Sequence, residues 1–201
     1  MTRKWIIALF GLLAVGGLAI AGVASLLRHG ISARDEPSAL EAMAARTMRR
    51  LAIPAHLRDA TNPLPASAEI LSEGRAHFAD HCATCHANDG SGDTEIGRNL
   101  YPKAPDMRLP TTQSLSDGEL FYVIHNGIRL TGMPAWGGAD PVEDRDSWKL
   151  VHFIRHLPQL SAEERSDMKA LNPKSRHEIE EEDAMAQFLN GGAPEAVPPS
   201  H

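Results

Sequence analysis

From Trp5 to Leu27 the chain carries no charged residue. A helix over that run would extend about 35 Å at about 1.5 Å per residue, enough to cross a bilayer core of about 30 Å. Arg3 and Lys4 precede the run and Arg28 follows it, and two basic residues on a short leading segment favour a cytoplasmic N-terminus with the remainder outside. The competing reading is a cleaved signal peptide with Ala19-Ile20-Ala21 as its cleavage site. The apolar run continues past that site and exceeds a signal core of roughly 7 to 15 residues, which favours an uncleaved anchor. Both readings export the chain.

Beyond the anchor the apolar positions take on helical spacing. Ser38 stands three residues before Glu41, and Leu40, Met43, Thr47 and Leu51 then recur on one face while Arg46, Arg49 and Arg50 fall elsewhere; this predicts a short amphipathic helix opened by a capping box. Pro54, Pro63 and Pro65 make residues 53–66 an extended connector. A third helix is predicted over Ser67–His81, with Ile70, Gly74 and Phe78 stacked on one face. Glycines and prolines at 90, 92, 97, 102, 105 and 110 then predict irregular loop.

Ser116 and Glu119 form a second capping-box pattern, opening a helix that Gly127 ends. A further loop runs through Gly132, Pro134, Gly137 and Gly138. From Asp146 to Leu157 a dense set of apolar residues, including Trp148, Leu150, Phe153 and Ile154, predicts a strongly apolar helix that stops before Pro158. No segment alternates like a strand, so the fold class is all-α. Beyond Ser161 the chain turns polar, with Glu178, Glu180, Glu181, Glu182 and Asp183 nearly consecutive, and predicts a short helix followed by a frayed Gly- and Pro-rich tail. The organisation is an anchor over 1–28, an amphipathic helix and linker over 29–66, a globular domain over 67–160 and an acidic extension over 161–201.

Composition sharpens this picture in two ways. Aromatic residues make up only 5% of the 201 residues, so a core of side chains alone would be thin, and a large buried cofactor would help to fill it. The formal charge of −6 leaves no global basic surface and argues against a nucleic-acid binder that works by displacing counterions. The acidic run reads as a solvated helix face, or as a patch that steers a basic redox partner and is weakened by salt.

The chain has two cysteines, in Cys82-Ala83-Thr84-Cys85-His86. This is the C-x-x-C-H pattern of haem attachment: two thiols spaced to form thioethers with one haem, and an imidazole directly after the second to ligate its iron. A redox dithiol of the thioredoxin kind belongs in a β-α-β setting that is not seen here, and a structural zinc site would need a second pair of ligands. Met107, Met133 and Met168 are candidates for the opposite iron position. Met133 is placed best, in Gly132-Met133-Pro134, flanked by a rigid proline and an unencumbered glycine. His81 and His125 are lesser alternatives, and His77, His152 and His156 read as surface or packing residues.

On these residues the stretch 67–160 resembles the class I cytochrome c family. The haem motif lies near the start of the domain, and Asn126-Gly127-Ile128-Arg129-Leu130-Thr131-Gly132-Met133-Pro134-Ala135-Trp136 looks like that family's distal-ligand loop. The resemblance implies a helical fold around one covalently attached haem c, with Cys82 and Cys85 as attachment points, His86 as proximal ligand and Met133 as distal ligand. It implies that Gly74 and Phe78 on one helix cross Leu150 and Phe153 on another. It also implies a loop proline whose carbonyl accepts the histidine's ring N–H. Pro102 and Pro105 are both available, and Pro102 is the expected acceptor; such a bond would orient the ring. Tyr101 and Trp136 either pack near the haem or belong to the ordinary core.

The function implied is one-electron transfer outside the cytoplasmic membrane of a bacterium, on its periplasmic side, by a tethered shuttle or a subunit of a respiratory or dehydrogenase complex. Its partners would be redox donor and acceptor proteins. The alternative is a haem enzyme or gas sensor with an open or labile sixth iron position, which would need distal catalytic groups that the sequence does not reveal.

Overall fold

A computed structural model describes residues 3–29, 32–138 and 140–190. The Gly- and Pro-rich end of the chain, residues 191–201, lies outside the described residues. Among those described there is no strand. The first helix, α1 (Arg3–His29), contains a window over Arg3–Ser25 that is long and apolar enough to cross a membrane, and none of it is buried against the rest of the protein.

Helix α2 (Ala39–Ala52) is capped by Ser38, whose hydroxyl accepts the Glu41 N–H at 3.2 Å. The connector after it is docked rather than free. It contains the short helix α3 (Ala55–Arg58) and buries Ile53. Asn62 donates to the Trp148 carbonyl at 2.8 Å, His152 Nε2 meets the Leu64 carbonyl at 3.0 Å, and the Gly118 N–H donates to the Ala60 carbonyl at 3.1 Å.

Helix α4 (Ala68–His77) starts at Ser67, whose hydroxyl caps the Ile70 N–H. It does not simply end at His81 as predicted. A π turn over Phe78–Cys82 widens the winding, and α5 (Ala83–His86) carries it on through the second cysteine to the histidine. Inserted π turns occur often at functional sites, and here the turn ends on the first cysteine. Short helices α6 (Glu95–Arg98) and α7 (Pro110–Gln113) interrupt the predicted loop.

Helix α8 (Asp117–Asn126) has the predicted capping box at Ser116 and Glu119 and ends at Gly127, whose φ of 64° suits glycine. Helix α9 (Pro141–His156) begins five residues before its predicted start. Asp140 caps it and Pro141 sits in its first turn, which proline favours. After a 3₁₀ turn over Leu157–Gln159, the extension forms α10 (Ala162–Lys169) and α11 (Arg176–Leu189), each opened by its own capping box.

Helices α4 and α9 cross at Gly74, where an added Cβ would run into the Lys149 carbonyl and crowd Phe153. The glycine therefore sets how closely the two backbones approach. Beside the crossing, the Phe78 and Phe153 rings pack with centroids 5.1 Å apart, tilted at 54°. This is the crossing implied by the resemblance. Helix α8 closes the core with Leu120, Phe121 and Ile124, and Phe121 stacks on Trp148 at 4.2 Å. Met168 of α10 is fully buried in the same cluster, so it serves packing and the first part of the extension belongs to this core.

Candidate haem site

The two cysteines and the histidine occupy consecutive turns. Cys82 closes the π turn, Cys85 lies one turn on in α5, and His86 ends it. Directly afterwards the chain turns away through Ala87, at φ 59° and ψ 158°, a region that costs a residue with a Cβ about 1–3 kcal/mol. The following loop folds back over the motif. The Gly92 N–H donates to the His86 carbonyl at 2.9 Å, and the Thr94 hydroxyl donates to the Cys85 carbonyl at 3.2 Å. Gly97 packs so closely on that same Cys85 carbonyl that no side chain fits there.

Both thiols are free. Burial, reinforced by neighbouring Cys85, pushes the Cys82 thiol up to about 12. A catalytic redox dithiol needs the reverse, a thiol with a depressed pKa in an electropositive setting. Burial also pulls His86 down to about 4, with the Pro105 carbonyl partly opposing it. The imidazole is therefore neutral at neutral pH, the form that ligates a metal. It is 8% exposed, and Nδ1 is sealed from solvent without a partner at full hydrogen-bond geometry. A buried, neutral imidazole directly after two free thiols fits covalent haem.

Met133 sits half-buried in a loop that holds its own shape. The Met133 N–H donates to the Thr131 hydroxyl at 3.1 Å, and its carbonyl accepts the Ile128 N–H at 3.1 Å. The Trp136 and Gly137 N–H groups return to the carbonyls of Ile124 and His125 on α8. At the base of the loop, a Cβ on Gly127 would collide with the Pro134–Ala135 peptide at 2.6–2.7 Å, and Gly132 accommodates Leu100 from the opposite loop.

A family model described as cytochrome c oxidase, cbb3-type, subunit III, matches residues 69–154. That stretch is a class I c-type cytochrome domain. Such a domain carries covalently bound haem c, and Cys82, Cys85 and His86 supply the motif that holds it.

Within the cytochrome domain the prolines separate. Both are exposed, but the Pro105 carbonyl is the one that acts on His86, and Pro102 is not among the groups acting on that ring. The Tyr101 hydroxyl donates to Glu41 of α2 at 2.5 Å. Trp136 is half-buried and meets His81 edge-on at 5.2 Å. His152 and His156 are engaged in structural contacts, with the Leu64 carbonyl and with Glu164. Sequence reasoning missed the π turn and the left-handed Ala87, neither of which has a sequence signal, and it preferred Pro102 over Pro105, the other proline it named.

Proposed function

We propose that this protein is a membrane-anchored electron carrier whose single haem is ligated by His86 and Met133, with the cytochrome domain on the periplasmic side of a bacterial cytoplasmic membrane. The observation that carries the reading is the neutral, buried His86 directly after two free thiols, in a domain of the cytochrome family. When bound, haem supplies a one-electron couple. Cys82 and Cys85 fasten it, His86 fills one axial position, and the self-bonded Met133 loop presents a thioether for the other, a soft neutral donor that raises the potential. We assign Pro105, in place of Pro102, as the acceptor that orients His86, because its carbonyl is the one acting on the ring.

A subunit of a larger respiratory assembly is favoured as a second reading by one finding: the matching family is described as an oxidase subunit. Both readings are tested on holoprotein purified in mild detergent. The haem should titrate as a single reversible wave with a slope of about 59 mV per decade, the value for one electron. Stoichiometric co-purifying subunits would mark the complex and their absence the tethered shuttle. An irreversible or two-electron response would contradict both.

A further inference from the structure

Helix α2 is packed with its apolar side outward. Its partly buried positions are Ala42 and Arg49. Burial lowers the Arg49 pKa and the nearby Glu119 carboxylate opposes this, which puts the arginine face against α8. The opposite face carries Leu40, Met43, Met48 and Leu51, between 54% and 76% exposed. The helix is fastened in this orientation, because Tyr101 donates to Glu41 and Lys103 pairs with Glu36. Amphipathic helices of globular proteins turn the apolar stripe to a core, and a row of large apolar side chains facing out marks a surface that something else covers.

Tether length and charge identify the cover. Residues 30–35 alone separate the end of α1 at His29 from Glu36, a reach of roughly 25 Å at about 3.6 Å per residue. Helix α2 is thus held close to where α1 ends. It carries three arginines against one glutamate, a net +2 in a chain of net −6. Arg46 and Arg50 are both exposed and flank the apolar face on one side. An apolar stripe edged by arginine is the pattern of a helix lying in a lipid headgroup layer, with guanidinium groups reaching anionic phosphates.

We propose that α2 lies in the headgroup layer of the membrane that holds α1, its Leu40–Leu51 face toward the acyl chains and Arg46 and Arg50 on anionic lipid phosphates. The cytochrome domain is then held in one orientation on the membrane instead of swinging on its tether. This rests on the reading of α1 as a membrane anchor.

The test uses full-length holoprotein in nanodiscs of phosphatidylcholine and phosphatidylglycerol. Single spin labels are placed by Leu13→Cys, Met43→Cys, Leu51→Cys or Glu163→Cys; the native cysteines are held as thioethers and do not react. Relaxation by oxygen is compared with relaxation by a water-soluble nickel chelate. The label at 13 should favour oxygen most, those at 43 and 51 should favour oxygen less strongly, and the one at 163 should favour nickel. Arg46→Gln with Arg50→Gln should shift 43 and 51 toward nickel while leaving 13 and the visible spectrum unchanged. If 43 and 51 are as nickel-accessible as 163 while 13 remains deep, the proposal is wrong and the anchor stands. Shielding of 43 and 51 from both reagents would show protein covering the face, and would also overturn it. Nickel access at 13 would remove the anchor itself.

Discussion

Met133→Ala should abolish the weak far-red absorption of a sulfur-ligated ferric haem, make the haem bind carbon monoxide and lower its midpoint potential by on the order of 0.1 V or more, since axial ligands alone span about 0.8 V. The variant is informative because the loop does not depend on the side chain. Its shape comes from backbone groups of Ile128, Met133, Trp136 and Gly137 and from the Thr131 hydroxyl, together with a glycine at 127 that only a missing Cβ permits. Truncation at Cβ therefore removes the thioether and leaves the rest in place. An unchanged spectrum would transfer the distal role to another side chain, with His81 and His125 the first to examine.

Replacing both cysteines, Cys82→Ser with Cys85→Ser, should remove covalent pigment completely, so that no haem stays with the chain through denaturing electrophoresis. Each single replacement should leave one thioether and retain pigment. Serine is close to cysteine in size, so packing around the half-buried thiols offers little alternative explanation. The two single variants should also differ. Cys82 lies at the close of the π turn, where its thiol is held near 12 by burial, whereas Cys85 lies on α5 under the loop that returns from Thr94. Retention of covalent haem in the double variant would contradict the assignment of these residues.

The pattern of the chain carried most of the fold and the centre of the site. The capping box at Ser116, the Ser38 cap, a glycine stop at 127 and the periodicity through Gly74 and Phe78 are local signals, and local structure followed them, although Glu41 turns its carboxylate to Tyr101 and leaves the box predicted at Ser38 half formed. What escaped depended on tertiary context. Between Pro141 and Arg145 the only large aliphatic residue is Val142, so periodicity had little to register there, and the start of α9 came from the Asp140 cap and Pro141. The π turn at Phe78–Cys82 leaves no mark on apolar spacing because it occupies barely one turn. The chain between Ile53 and Ala66 reads as a connector, yet its backbone carbonyls are taken up by His152, Ser116 and Gly118, and its Asn62 side chain donates to the Trp148 carbonyl. For α2 the pattern gave two faces without saying which one the protein would bury, and the outward apolar side emerged only from packing.

The histidine's partner shows the same limit at the site. Pro102 and Pro105 are equivalent by composition and nearly so by position, and choosing between them takes the course of the loop. The Ala104 N–H bonds the Gly97 carbonyl, the Met107 N–H bonds the Gly90 carbonyl, and the Gln113 side chain joins the Met107 carbonyl to that of Ile154 on α9. These contacts fix the chain on both sides of Pro105, whose carbonyl acts on His86.

The central claim is a covalently held haem with both axial positions filled by this chain. The most direct measurement is the visible spectrum of the purified wild-type protein, oxidised and reduced, with and without carbon monoxide. The account predicts a low-spin haem in both states, a far-red methionine band in the oxidised form and no change on adding carbon monoxide to the reduced form. A high-spin haem that takes up carbon monoxide readily would contradict it and point to a site that binds a ligand or substrate.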